Sequence, residues 1–276
     1  MTARQLIVCL LLLIMHAAPA FAAGEESFTF AVISDTHLAP APGSWRLHHA
    51  TDIIVSSLVN EVKPSFVLHC GDMISINSHS AYEAAILSMW DTFNAGVRAP
   101  LTAAGIAFFP SPGNHDVYGM GRALYGKEWA SFRNKGIALD SGSYGSYYSF
   151  HYGRCFFIML DGSGISIPAA QQQWLAKVLA KAKPAYGRVF VISHVGLLGG
   201  GRHPGDFMQG NLSWFLEKKG VDYFLSGHQH SYSVDKLGKM IHLTCGSAGE
   251  TPPYYYLVFT VKGQKVTWEA KTASSR

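Results

Sequence analysis

An α/β fold with mixed parallel and antiparallel sheets is predicted for this chain on three observations. Short apolar runs alternate with longer segments of helical periodicity through much of its length, the rhythm of βαβ units. Two regions break that rhythm and set strand directly after strand across tight glycine turns, which suits antiparallel hairpins. The 276 residues are 48% hydrophobic and only 14% charged, enough apolar material for a buried core and too little charge for a disordered chain.

Taken in order, residues 28–33 read as a strand and 48–62 as the helix after it; 66–69 and 81–93 repeat the pair, and 106–109 add another apolar strand. Residues 147–151 and 155–160 form a hairpin pattern around Tyr152-Gly153-Arg154. The strand–helix rhythm returns at 189–192 and 212–219, and 223–225 is one more apolar run. Strand patterns at 231–234, 240–245, 255–261 and 265–270 close the series, the last two joined through Lys262-Gly263-Gln264. Without an internal repeat or a long linker, one domain over 23–276 is expected, with a frayed polar tail at 272–276.

Residues 1–22 read as a cleaved signal peptide. Arg4 supplies the positive start, residues 6–15 are an apolar run too short to span a bilayer, and Ala20-Phe21-Ala22 has the small-residue form a signal peptidase cuts. A retained anchor and a lipid on Cys9 are the competing readings, and Val8 is a poor neighbour for a lipidated cysteine. The mature chain, from about Ala23, is then secreted or periplasmic and has no membrane span. Loss of Arg4 lowers the net charge from +4 to +3, too small a surplus to argue for nucleic acid as the main partner. The odd count of Cys70, Cys155 and Cys245 implies no disulfide framework; Cys155 reads as a buried thiol, and a bridge between Cys70 and Cys245, which both end apolar strands, stays open.

Chemistry collects where the apolar runs stop. Asp35-Thr36-His37, Gly71-Asp72, Gly113-Asn114-His115-Asp116, His194 and Gly227-His228-Gln229-His230 each follow such a run. Singly they are commonplace, since Gly-Asp after a strand is usually a turn and a lone His usually structural. Jointly they are not, because strands of an α/β sheet open their carboxyl ends onto one crevice where loops distant in sequence converge. The glycines are expected to let the backbone approach an ion or phosphate closely.

In this order the motifs resemble the calcineurin-like metallophosphoesterase superfamily, whose series reads D-x-H, G-D, G-N-H-[DE], H, G-H-x-H, with every element present from Asp35 to His230. The resemblance implies a four-layer αββα sandwich of two mixed β-sheets flanked by helices. It further implies a dinuclear site in which Asp35, His37 and His230 hold one metal, Asn114, His194 and His228 the other, and Asp72 bridges both, with His115 in the catalytic histidine position. The sequence departs from the purple acid phosphatase branch, which has a ligating Tyr three residues after the bridging Asp; Ser75 stands there.

Ligand chemistry agrees with that assignment. Seven oxygen and nitrogen donors without a thiolate suit two divalent or trivalent ions, with Fe, Mn and Zn all admissible, rather than a structural zinc site. Paired ions activate water and hold phosphate oxygens, so a metal-bound hydroxide is the expected nucleophile. His115 is placed to protonate the departing alkoxide or to hold phosphoryl charge, and Asp116 to orient its ring or cap a helix. Segments 39–49, 117–148 and 197–207 are expected to build substrate walls, with Arg46, Arg122 and Arg202 as phosphate contacts or solvated charges and aromatics in 117–148 stacking on a base or filling a cap. A phosphoesterase acting on small phosphate mono- or diesters is the expected function. A nuclease or cyclic-nucleotide phosphodiesterase, and a non-catalytic metal- or phosphate-binding module, are the alternatives; the oligomeric state is not legible.

Overall fold

The computed structural model describes residues 27–200, 202, 203, 205 and 208–273; the expected signal peptide at 1–22 and the tail from 274 lie outside them. Within that range two sheets face each other. The first has five strands in the order Lys265–Thr272, Tyr255–Lys262, Ser27–Ile33, Phe66–His69, Ala107–Pro110, the last three mutually parallel and the first two antiparallel. The second has seven, in the order Tyr232–Leu237, Met240–Cys245, Tyr223–Ser226, Arg188–Ile192, Cys155–Met159, Tyr148–Tyr152, Ser141–Gly142, with a parallel centre and antiparallel flanks. The mixed pairing is as predicted, and Thr272, expected in the tail, ends a strand.

Strand periodicity sorts the side chains into layers. On Cys155–Met159, Arg188–Ile192 and Tyr223–Ser226, Phe157, Phe190 and Leu225 enter the core between the sheets, while Phe156, Ile158, Val189, Val191 and Phe224 face outward. The interface is aromatic: Phe30 stacks on Phe259 within its own sheet at 4.6 Å and meets Phe157 and Phe190 of the other sheet edge-on at 5.3 and 5.4 Å. Leu175, Val178, Leu179 and Ala182 cover the outward face of the second sheet. They come from helix Ala169–Ala185, which was not among the predicted elements. Its signal was present, since those four positions follow the i, i+3, i+4, i+7 pattern, and the parallel pairing of the strands on either side requires a crossover. On the first sheet the outer layer is built from His49–Ser57 and Glu83–Phe93, whose Ile54, Ile86, Trp90 and Phe93 are buried.

Two segments expected as loops hold regular structure. Ala39–Ala41 pairs with Ser44–Arg46 in a small hairpin, and Gly121–Ala130 is a helix that buries Leu124, Tyr125 and Trp129. Parallel strands from both sheets end at one edge, so all five motif loops emerge there.

Candidate metal centre

Backbone bonds knit these loops before any side chain is considered. Asp35 N–H donates to the Gly71 carbonyl at 3.0 Å, His37 N–H to Asp72 at 3.2 Å, and Gly227 N–H to His194 at 3.0 Å. The sheets are joined through the same loops: His194 Nδ1 lies 2.8 Å from the Cys70 carbonyl, and His228 N–H donates to Asp35 Oδ2 at 3.1 Å. Six described non-glycine residues adopt positive φ, and five of them are Asp35, His37, Asp72, His228 and His230. Left-handed backbone is unfavourable for these side chains, so its concentration at five motif positions marks a site rather than a chance run of turns.

Two groups of donors result. Asp35, His37 and His230 form one and Asp72, His194 and His228 the other, all buried, each with its potential ligand atoms within 4.8 Å of one another. Asp72 Oδ2 faces both, 3.7 Å from His37 Nε2 and 3.1 Å from His194 Nε2. Asn114 Oδ1 lies 2.9 Å from His194 Nε2 and so joins the second group. The His115 ring packs against His37 at 5.1 Å, its backbone N–H donates to Asp72 Oδ1 at 2.8 Å, and its Nδ1 is 3.0 Å from the Ile76 carbonyl. The structure thus brings the seven expected ligands and His115 together at one place.

The donor set fits a pair of cations. His37 Nε2 is a buried nitrogen with no hydrogen-bond partner, an arrangement that costs free energy unless something else occupies it. Nitrogens on the far side are held in place: Nδ1 of His194 by the Cys70 carbonyl, Nδ1 of His37 by Ser75 Oγ at 3.3 Å, and Nδ1 of His230 by Thr251 Oγ1 at 3.1 Å. A carbonyl only accepts, so His194 carries a proton on Nδ1 and aims Nε2 at Asp72 Oδ2 and Asn114 Oδ1; a cation held there would take the place of the Nε2 proton, the usual orientation of a ligating imidazole.

Electrostatics complete the picture. Burial would raise Asp35, but the His230 hydrogen bond and the charges of His194 and His230 more than reverse it, to about 2. Burial is likewise overcome at Asp72, which His194 and His37 hold well below the usual carboxylate range. His194 is lowered by burial and raised further by Asp72, reaching about 9, whereas burial dominates at His37 and lowers it. Both carboxylates therefore stay ionised in a dry pocket, the charge pattern a cation completes.

Three expectations narrow. Of the two parts open to Asp116, it takes the helix cap and not the ring: its carboxylate accepts the Gly113 N–H at the start of Asn114–Val117, and beyond that role it accepts the N–H groups of Asp72, Met73 and Ile74, all at 2.8–3.0 Å, tying two motif loops together. Burial and then the Asp72 charge push it up to about 7 against those four donors. Two of the motif glycines serve loop-to-loop packing, since a Cβ on Gly113 would strike the Asp72 carboxylate and one on Gly227 would strike Ser34 Oγ. Two of the three arginines are engaged: Arg122 pairs with Asp161 and Ser163, and Arg202 reaches Glu250, Thr251 and His230 Nδ1, each at 3.2 Å. Sequence reasoning assigned no part to Thr251 or to the His203 ring, which stacks on His228 at 4.5 Å; both contacts exist only once distant loops meet.

Two sandwiched mixed sheets carry a paired Asp/His pocket at their strand ends, and the calcineurin-like phosphoesterase family model matches residues 28–232, so the chain belongs to that family of metal-dependent phosphoric ester hydrolases. It is similar to the manganese-dependent ADP-ribose/CDP-alcohol diphosphatase of Xenopus tropicalis, with 22% identity over 83% of this chain and 86% of that one. In fold it is similar to a purple acid phosphatase from yellow lupin (TM-score 0.71, 16% identity, 91% of this chain), of which it spans only 52%. A dimetal phosphatase from Danio rerio matches over 90% of this chain and 99% of its own (TM-score 0.63, 17% identity).

Proposed function

We propose that the chain hydrolyses small phosphate mono- or diesters at a two-metal centre, with Asp35, His37 and His230 on one ion, Asn114, His194 and His228 on the other, and Asp72 shared. The observation that supports this most directly is Asp72 Oδ2 standing between His37 Nε2 and His194 Nε2 inside two buried donor groups. When bound, such a pair of ions activates water and offsets phosphoryl charge. The protein's own residues do the rest. His115 N–H fixes the Asp72 carboxylate, Asp116 fixes the loop that carries it, and the His115 side chain serves the leaving group. Ser75 holds His37 where the purple enzymes would have a ligating Tyr, which argues for a centre without tyrosinate. The Xenopus relative, named as manganese-dependent and acting on small nucleotide-containing substrates, supports Mn²⁺ as the first ion to test and a small substrate over a polymer.

Metal-stripped protein should be inert on p-nitrophenyl phosphate and bis-p-nitrophenyl phosphate and regain turnover on at least one with two equivalents of Mn²⁺, Zn²⁺ or Fe²⁺. Turnover that survives chelation, or two bound equivalents without hydrolysis of either ester, would reject the reading. Export is part of the proposal and rests on Arg4, the apolar run and Ala20-Phe21-Ala22. Protein recovered from its host should begin within a few residues of Ala23; an intact Met1 on the soluble protein counts against it.

A further inference from the structure

The aromatic residues of segment 117–148 do not share one fate. Tyr125, Trp129, Tyr144 and Tyr148 are buried and pack on the Phe108, Phe109 and Trp90 rings, so they fill a small cap. Tyr118 is 40% exposed. It caps the short helix Asn114–Val117 that carries His115, and its ring lies on His79 at 3.9 Å, tilted by 33°.

That pair is fixed to the reactive end of the site. Segments 76–79 and 115–118 run side by side and are tied at two levels. His115 and Ile76 exchange hydrogen bonds, Ile76 N–H to the His115 carbonyl at 3.1 Å and His115 Nδ1 to the Ile76 carbonyl at 3.0 Å. Three residues further along each segment, His79 meets Tyr118, at most about 10 Å of chain from the inner tie. Gly119 makes the approach possible, with φ +57° and a Cβ position only 3.3 Å from His79 Cα. His79 lies against the phenol ring, and Tyr118 still keeps 40% of its surface exposed. Met120, 44% exposed, adds a soft apolar neighbour.

We propose that Tyr118, backed by His79, is a stacking platform for a planar heteroaromatic ring on the leaving-group side, so that the substrate is a nucleoside phosphate ester or diester. This rests on the phosphoesterase reading above. A leaving group that extends from His115 along the tied segments would come to the exposed Tyr118 ring within about the reach of a nucleoside, since three residues of chain separate the two. Such a face suits any base, because every base offers a π surface and stacking needs no particular hydrogen-bond pattern.

The test compares adenosine 5′-monophosphate with ribose 5-phosphate, which share the phosphate and sugar and differ by the base. Equilibrium binding to Mn²⁺-loaded protein is measured by calorimetry, and turnover is followed separately. Wild type should bind the adenosine compound more tightly. Tyr118→Ala should shrink the ratio of the two affinities about ten- to hundred-fold, while Tyr118→Trp keeps it and His79→Ala falls between. Equal loss on both ligands, or an unchanged ratio in Tyr118→Ala protein with normal metal content and melting temperature, overturns the platform. Tight base-dependent binding without any hydrolysis would instead leave the platform standing and reject the phosphoesterase reading.

Discussion

Asp72→Asn should empty both metal positions and abolish turnover, whereas His37→Ala should weaken mainly one. The reason lies in how Asp72 is held. Its Oδ1 accepts the His115 N–H at 2.8 Å, so an asparagine at this position keeps its one carbonyl oxygen there to avoid setting donor against donor. The amide NH₂ then falls where Oδ2 stood, between His37 Nε2 and His194 Nε2, and offers no lone pair to either ion. One negative charge is also lost from a buried pocket built around two carboxylates, which weakens cation binding throughout. In the opposite amide orientation the oxygen returns to the pocket but the NH₂ opposes the His115 N–H, which loosens the loop that carries the ligand. Metal content by elemental analysis and binding by calorimetry check the outcome. Two full equivalents in active Asp72→Asn protein would exclude a shared ligand, and two equivalents in inactive protein would move Asp72 from the metals to another part of the chemistry.

Much of this site was legible because function sits at strand ends. Phe28, Phe66, Val189 and Tyr223 start apolar runs whose abrupt replacement by Asp, Asn, Gly and His marks where each strand stops, so strands and motif loops were found by the same signal. Helix Ala169–Ala185 escaped for the opposite reason: its apolar stripe is thin and interspersed with Gln, Lys and Ala, so its burial depends on the sheet it covers. Most of the supporting contacts were out of reach. The helix cap by Asp116 was open to sequence reasoning, but its bonds to the N–H groups of Asp72, Met73 and Ile74, the Ser75 hydroxyl on His37 and Thr251, 21 residues from His230, were not. These have no residue-type signature, because a backbone donor looks the same at every position. Positive φ at Asp35, His37, Asp72, His228 and His230 is equally silent in a sequence that does not put glycine there. The packing role of the glycines is likewise invisible in sequence, and only the folded loops show Gly113 against Asp72 and Gly227 against Ser34.

His115→Ala should lose about 10² to 10⁴ in rate on alkyl phosphates and much less on nitrophenyl phosphates, with bound metal unchanged. An alkoxide is a poor leaving group that needs a proton in the transition state, and a nitrophenolate hardly needs one. Metal should stay because the residue's hold on Asp72 runs through its backbone N–H, which alanine retains. The ring's orientation sharpens the test. Its Nδ1 faces the Ile76 carbonyl at 3.0 Å, an acceptor, so that nitrogen carries hydrogen and Nε2 is the one left for substrate. An acid role thus places the donated proton on Nε2 and requires that the loss in His115→Ala grow with the basicity of the departing oxygen. If the ring instead stabilises phosphoryl charge, both ester types should lose rate together in His115→Ala. An equal fall across a leaving-group series therefore rejects proton donation and keeps His115 in the site, and a fall in metal content alongside activity would make its side chain a ligand.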